Sequence, residues 1–242
     1  MFGAATIVGD RVTLSGVGAR VDAPFEIGSI SKALTGLLYV DALERGEVLP
    51  GSTLGDLLPV GGIASGIRLD ALSTHSSGLP SLPRAMAPLR RSVRLWTRGT
   101  NPYGDTRDEL LEQTRSVALG SKRARYSNLG FQLLGHAVAA GAGMPYRELL
   151  SERLALPLAL TTMDAPSTAA EIAPDAVRGR SRSGREREPW TGEGIAPAGG
   201  IRASVEDLAT LARALLAGTL TAWLAGRAAA GRDAVLAVKE DW

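Results

Sequence analysis

Residues 4–8 and 12–18 form two short runs rich in β-branched and small apolar residues, separated by the pair Gly9-Asp10. A turn pair between two such runs predicts a β-hairpin. From residue 29 the period changes. Ile30, Ala33, Leu34, Leu37, Leu38, Val40 and Leu43 cover most of a helix circumference rather than one stripe, the pattern of a helix buried nearly all round. Gly46 is its natural stop. Further helices are predicted over 105–117, capped by Asp105 or Thr106, over 129–140, over 146–154 ahead of Pro157, and from Ser204 to about 218. Ser204 and Asp207 have the spacing of a capping box, with Asp in place of the usual Glu. Residues 165–194, rich in Pro, Arg, Ser, Gly and Glu, read as an exposed, partly mobile loop. The alanine-rich end predicts a helix over 221–230 and a short strand over 234–238. There is no internal repeat.

Composition narrows the function classes. A chain of 242 residues with 45% hydrophobic and 21% charged residues can bury a full core, and it fits one globular domain. The formal net charge is +2, so the arginines are nearly balanced by acids. They cluster at 84–98 and 178–187 without aromatic interleaving or a nucleic-acid motif, and no nucleic-acid partner is expected. The absence of cysteine excludes disulfides and thiolate catalysis. His75 and His136 are far apart and lack a carboxylate spacing, so neither a metal nor another cofactor is expected. His75 reads as structural, and His136, on an apolar helix, as a packing or surface residue. The N-terminus has no basic region followed by an apolar run, and no segment reaches the ~20 apolar residues that span a bilayer. A soluble, cytoplasmic chain without a membrane span is the expectation.

The candidate chemistry starts at Gly28-Ser29-Ile30-Ser31-Lys32. On a helix the Ser29 hydroxyl and the Lys32 ammonium share a face. A serine hydroxyl is a poor nucleophile until a neighbouring base helps remove its proton, and a helix N-terminus offers free N–H groups to a developing oxyanion. Lys32, Lys122 and Lys239 are the only lysines beside many arginines. Lysine can deprotonate and arginine cannot, which marks Lys32 as chemical rather than solubilising. Ser-x-x-Lys alone also describes any helix that happens to begin with serine. A second candidate loop, Tyr126-Ser127-Asn128, precedes the helix over 129–140. A phenol near an ammonium can be acidified and serve as a base; an asparagine offers a donor and an acceptor to an amide-bearing substrate. The alternative is a capping loop with Asn128 as the cap.

Four segments occur in order: residues 25–38, Leu72-Ser73-Thr74-His75-Ser76-Ser77-Gly78-Leu79-Pro80, Tyr126-Ser127-Asn128-Leu129-Gly130, and Ala196-Pro197-Ala198-Gly199-Gly200-Ile201 followed by Asp207-Leu208. Together they resemble the serine β-lactamase-related family: class C β-lactamases, D-alanyl-D-alanine carboxypeptidases and family esterases. The resemblance implies an α/β (α+β) fold, an antiparallel sheet flanked by helices with a mostly helical region. Residues 1–45 and 195–242 would form the sheet-and-helix part of a single domain, and 46–194 the helical part. It implies Ser29 as the acylated nucleophile, Lys32 as its proton partner, Tyr126 as base or relay and Asn128 as a substrate contact. The reaction implied is hydrolysis of an ester, amide or β-lactam bond in a small molecule or peptide. The identity of the acylation base is disputed across such enzymes, so Ser29, Lys32 and Tyr126 are treated as a unit.

The family also carries a Lys-Thr-Gly or His-x-Gly triplet on a late strand, and neither occurs after Leu216. Two accounts fit: a truncated chain with an incomplete sheet, or self-association covering an open sheet edge. The rival function is a non-catalytic homologue that binds a peptide or cell-wall-like ligand without turnover. A Ser-His-Asp hydrolase is disfavoured because no Gly-x-Ser-x-Gly elbow is present.

Overall fold

The computed structural model describes residues 1–81 and 106–218. The arginine-rich stretch at 84–98, the cap candidate Asp105, and the helix and strand predicted at 221–230 and 234–238 lie outside the described residues. Strands β1 (Phe2–Val8) and β2 (Arg11–Val17) form the expected antiparallel hairpin, in register from Phe2↔Val17 to Val8↔Arg11. A second two-stranded antiparallel sheet pairs β3 (Phe25–Glu26) with β4 (Arg202–Ala203). Helices α1 (Ser31–Glu44), α2 (Leu54–Leu57), α3 (Leu69–Ser73), α4 (Arg107–Arg115), α5 (Asn128–Gly141) and α6 (Tyr146–Leu150) lie between them in sequence, and α7 (Val205–Leu216) follows β4 and packs on the hairpin. Small antiparallel sheets and a large helical part make this a mixed α/β fold.

Helix α1 begins two residues later than the apolar pattern predicts. Gly28, at φ +52°, turns the chain into a tight 3₁₀ turn over Gly28–Ile30, and the Ser31 N–H returns to the carbonyls of Gly28 and Ser29. Ser29 therefore sits in the turn that leads into the helix. The far end of α1 follows expectation, with Gly46 N–H on the Leu43 carbonyl at 3.1 Å and Glu47 N–H on the Ala42 carbonyl at 3.0 Å. Helix α5 runs the whole predicted length, and every residue from Leu129 to Ala139 is buried. Its Leu129, Leu133 and Leu134 join Leu34 and Leu38 of α1 among the fully buried side chains of the core. Two other expectations change. The helix over 146–154 splits at Leu150 into a π turn, Ser151–Ala155, closed by the Leu156 N–H on the Ser151 carbonyl at 2.9 Å; Pro157, without an N–H, follows at once. The capping box at Ser204 is half-formed. Ser204 Oγ accepts the Asp207 N–H at 3.0 Å, but the Asp207 carboxylate turns to the N–H groups of Thr161 and Thr162.

The loop over 165–194 is largely exposed, as expected, and is anchored at several points. Ile172 and Ala176 are buried, and Val177 N–H donates to the Pro24 carbonyl at 2.9 Å. Glu26 Oε1 accepts both the Trp190 N–H at 3.0 Å and the buried Arg202 guanidinium at 2.7 Å. Composition could not show this, because the anchor is the Glu26–Arg202 ion pair between strands β3 and β4.

Candidate active site

The site is assembled by the short sheet. Strand β3 runs into Ile27, whose N–H donates to the Ile201 carbonyl at 3.2 Å, and the Ile201 N–H donates to Ser31 Oγ at 3.3 Å. These bonds lay the start of α1 against a single π turn, Ala196–Gly200. Ser29 is exposed on the 3₁₀ turn; Lys32, in the first turn of α1, is only 6% exposed. The i,i+3 spacing brings Lys32 Nζ to 3.3 Å from Ser29 Oγ, and the ammonium also donates to the Ala198 carbonyl at 2.6 Å. Tyr126 arrives from the loop before α5, and its phenol oxygen lies 2.6 Å from Ser29 Oγ. Lys32 Nζ stands 4.8 Å from the centre of the Tyr126 ring, a cation over an aromatic face. The structure thus brings Ser29, Lys32 and Tyr126 within reach of one another.

Asn128 is the first residue of α5, and Ser127 rather than Asn128 is the cap. Ser127 Oγ accepts the Gly130 N–H at 2.9 Å and donates to the Pro80 carbonyl at 2.8 Å. The Asn128 amide donates to Ser81 Oγ at 3.5 Å.

Burial and proximity set the protonation of the cluster. Desolvation lowers the pKa of Lys32, and the facing Tyr126 only partly offsets it. Desolvation acts in the opposite sense on Tyr126, but hydrogen bonds from Lys32 and Ser29 and the Lys32 charge together outweigh it, so the phenol is more acidic than usual. A lysine inclined to lose its proton beside a tyrosine inclined to do the same is a coupled pair, able to take a proton from the serine between them.

Several residues of this assembly carry no signal that sequence reading used. Thr35, fully buried one turn after Ser31, donates to the Pro197 carbonyl at 2.7 Å and lies 2.6 Å from the Tyr146 hydroxyl. Because Thr35 donates to the carbonyl, Tyr146 is the donor to Thr35. Burial raises the Tyr146 pKa, so this second phenol keeps its proton. Thr35 and Tyr146 pin the π turn whose Ala198 carbonyl receives Lys32. A polar threonine among apolar neighbours of a buried helix was the available clue. His136 is buried away from this cluster, its Nε2 at 3.0 Å from the Glu193 carbonyl and its ring edge-on to Tyr146. A cavity of about 770 Å³ beside it is lined by Arg107, His136, Tyr146, Glu193 and Ala196 among others, and not by Ser29, Lys32 or Tyr126. Among the described residues no His, Cys, Asp and Glu group could hold a metal ion, and no helix is long and apolar enough to cross a membrane.

A serine hydroxyl, a buried lysine and an acidified tyrosine within reach of one another are the groups that serine acyl-transfer chemistry uses. Residues 3–242 match the family model described as Beta-lactamase, and the chain belongs to the beta-lactamase family. It is 31% identical over 146 residues to the D-alanyl-D-alanine-carboxypeptidase/endopeptidase AmpH of Escherichia coli K12, a match covering 58% of this chain and 36% of that relative. Its fold is similar to the class C beta lactamase from Rhodobacter sphaeroides, with TM-score 0.68, 23% identity, and coverage of 86% of this chain and 58% of that one. It is equally similar to a beta-lactamase/D-alanine carboxypeptidase from Pseudomonas syringae, with TM-score 0.69, 20% identity, and coverage of 88% and 59%. The matched region is thus a little over half of each solved relative, and about a third of the curated one.

Proposed function

We propose that this protein is a serine hydrolase that works through an acyl-enzyme on Ser29, cleaving an ester, amide or β-lactam bond. The observation that carries the reading is the placement of Ser29 Oγ within hydrogen-bond reach of Tyr126 OH at 2.6 Å and Lys32 Nζ at 3.3 Å. Ser29 Oγ attacks the carbonyl carbon while its proton passes to the Lys32–Tyr126 pair. The tetrahedral intermediate collapses, the leaving oxygen or nitrogen takes that proton back, and the acyl group stays on Ser29 as an ester. The same pair then takes a proton from water as its oxygen attacks the ester, and returns that proton to Ser29 Oγ as the C–Oγ bond breaks and the acid is freed. Asn128, beside Ser81, would contact the amide of a peptide-like substrate. The name of the Escherichia coli relative makes a peptide ending in D-alanyl-D-alanine the first amide to try.

A second reading is a homologue that binds such a ligand without turnover. Intact-mass spectrometry separates the two. The purified chain is exposed to a penicillin and, separately, to an activated ester, with Ser29→Ala as control. A mass gain that Ser29→Ala lacks is the expected result, and its decay rate reports turnover. A folded chain that gains no mass with either probe would sink the hydrolase reading and leave the binding one.

A further inference from the structure

Helix α3 ends at Thr74 in a Schellman arrangement, with the Ser76 N–H on the Ala71 carbonyl at 2.8 Å and the His75 N–H on the Leu72 carbonyl at 3.1 Å. The motif forces the residue after the cap into the left-handed region, where glycine is usual. The ends of α1 and α5 are built the same way and place Gly46 at φ +69° and Gly143 at φ +70°. At α3 the position is held by His75, at φ +59°. A side chain in this conformation costs free energy, and strained residues of this kind cluster at functional sites.

The contacts of His75 converge on Tyr126. Its carbonyl accepts the Arg125 N–H at 2.9 Å, and its Nδ1 accepts the Ser127 N–H at 3.2 Å. The imidazole lies against the Tyr126 ring with centroids 4.8 Å apart, and against the Phe131 ring of α5, also at 4.8 Å. The residues on both sides of the tyrosine and the tyrosine ring itself are therefore held by one histidine, backed by a fixed helix. Acceptance at Nδ1 leaves the ring proton on Nε2, and burial together with the nearby Lys32 charge favours this neutral form.

From this geometry we infer that His75 is a positioning residue: it holds the Tyr126 phenol against Ser29 Oγ and acts on the reaction only through that tyrosine. The placement stands on the contacts above, and its consequence for rate rests on the acyl-transfer reading. A phenol released from this seat keeps its chemistry but loses its alignment, and misplacement of about an ångström is worth about 10² in rate.

Two variants and two readouts test it. His75→Gly suits the left-handed backbone and removes only the ring and its acceptor; His75→Asn tolerates the conformation and returns an acceptor to the Ser127 N–H. The first readout is the rate of Ser29 acylation by an activated ester. The second is the NMR titration of the Tyr126 phenol in ¹³Cζ-tyrosine-labelled protein, assigned with Tyr126→Phe. His75→Gly should stay folded, acylate about 10²-fold more slowly, and let the Tyr126 titration rise toward that of an ordinary tyrosine; His75→Asn should recover about tenfold of the rate. A folded His75→Gly with wild-type acylation and an unchanged Tyr126 titration overturns the inference. If wild-type protein is not acylated at all, the hydrolase reading falls, while a Tyr126 titration that still moves in His75→Gly upholds the positioning role.

Discussion

The pH behaviour of the site turns on Lys32. Its burial lowers its pKa from the ordinary lysine value of about 10.4, so at any given pH more of it is neutral and able to accept the Ser29 proton. Acylation should therefore rise with pH with a midpoint below that value, and level off above the midpoint. Lys32→Arg, which cannot deprotonate, should lower the acylation rate by about 10²–10⁴ and remove the rise. An arginine variant with the wild-type pH profile would show that the lysine serves only as a fixed charge. This pair was legible in the sequence because i,i+3 spacing is local geometry: it survives even though Ser29 lies in a 3₁₀ turn and not in the helix proper. What holds the lysine was not legible. Its closest partner is the Ala198 carbonyl, 166 positions away, and a backbone carbonyl leaves no mark in composition or motif. Tyr126 lies between these cases, visible only through the order of the motifs around it.

The turn Ala196–Gly200 depends on how closely α5 approaches it. A Cβ on Gly135 would stand 2.3 Å from Pro197 Cβ and 3.0 Å from Tyr146 Cε2, so only glycine lets the helix back the turn this closely. Gly135→Ala must push the turn outward or strain α5. The expected cost is about 1–3 kcal/mol of stability, read by urea denaturation, together with slower acylation, because Ala198 moves away from Lys32. A variant that loses stability but keeps the wild-type acylation rate would show that the turn does not position the lysine. Sequence periodicity captured the long elements here, α1 and α5, because helices buried all round carry a dense apolar signal. It failed where one residue changes the geometry: the left-handed Gly28 that delays α1, Pro157 after the π turn, and the Asp207 carboxylate that leaves its cap for Thr161 and Thr162. The anchor of the exposed loop was not legible for a related reason, since Glu26 and Arg202 are distant in sequence and each looks like an ordinary surface charge.

At the scale of the molecule, His136 joins the helical layer to the loop over 165–194. It is buried on α5, edge-on to Tyr146 of α6, with Nε2–H donating to the Glu193 carbonyl and the Arg107 charge of α4 nearby. Burial is the main cause that pushes its pKa down to about 4; the Arg107 charge adds to it, and the Glu193 hydrogen bond opposes both. The unfolded chain binds this proton near pH 6.5, the ordinary histidine value. Between that pH and about 4 the unfolded state holds the proton and the folded state does not, so stability falls as pH falls across this window. The full loss is on the order of 3 kcal/mol, enough to matter against a typical total of about 5–15 kcal/mol. His136→Gln, which can still donate to the Glu193 carbonyl but does not titrate, should flatten the dependence of the urea midpoint on pH between 6.5 and 4.5, whatever it does to stability at neutral pH. Acylation at neutral pH should change little in this variant, since His136 reaches Ser29 only through Tyr146, Thr35 and the Pro197 turn. If wild type and His136→Gln lose stability in parallel as the pH drops, a group other than His136 controls the acid limit.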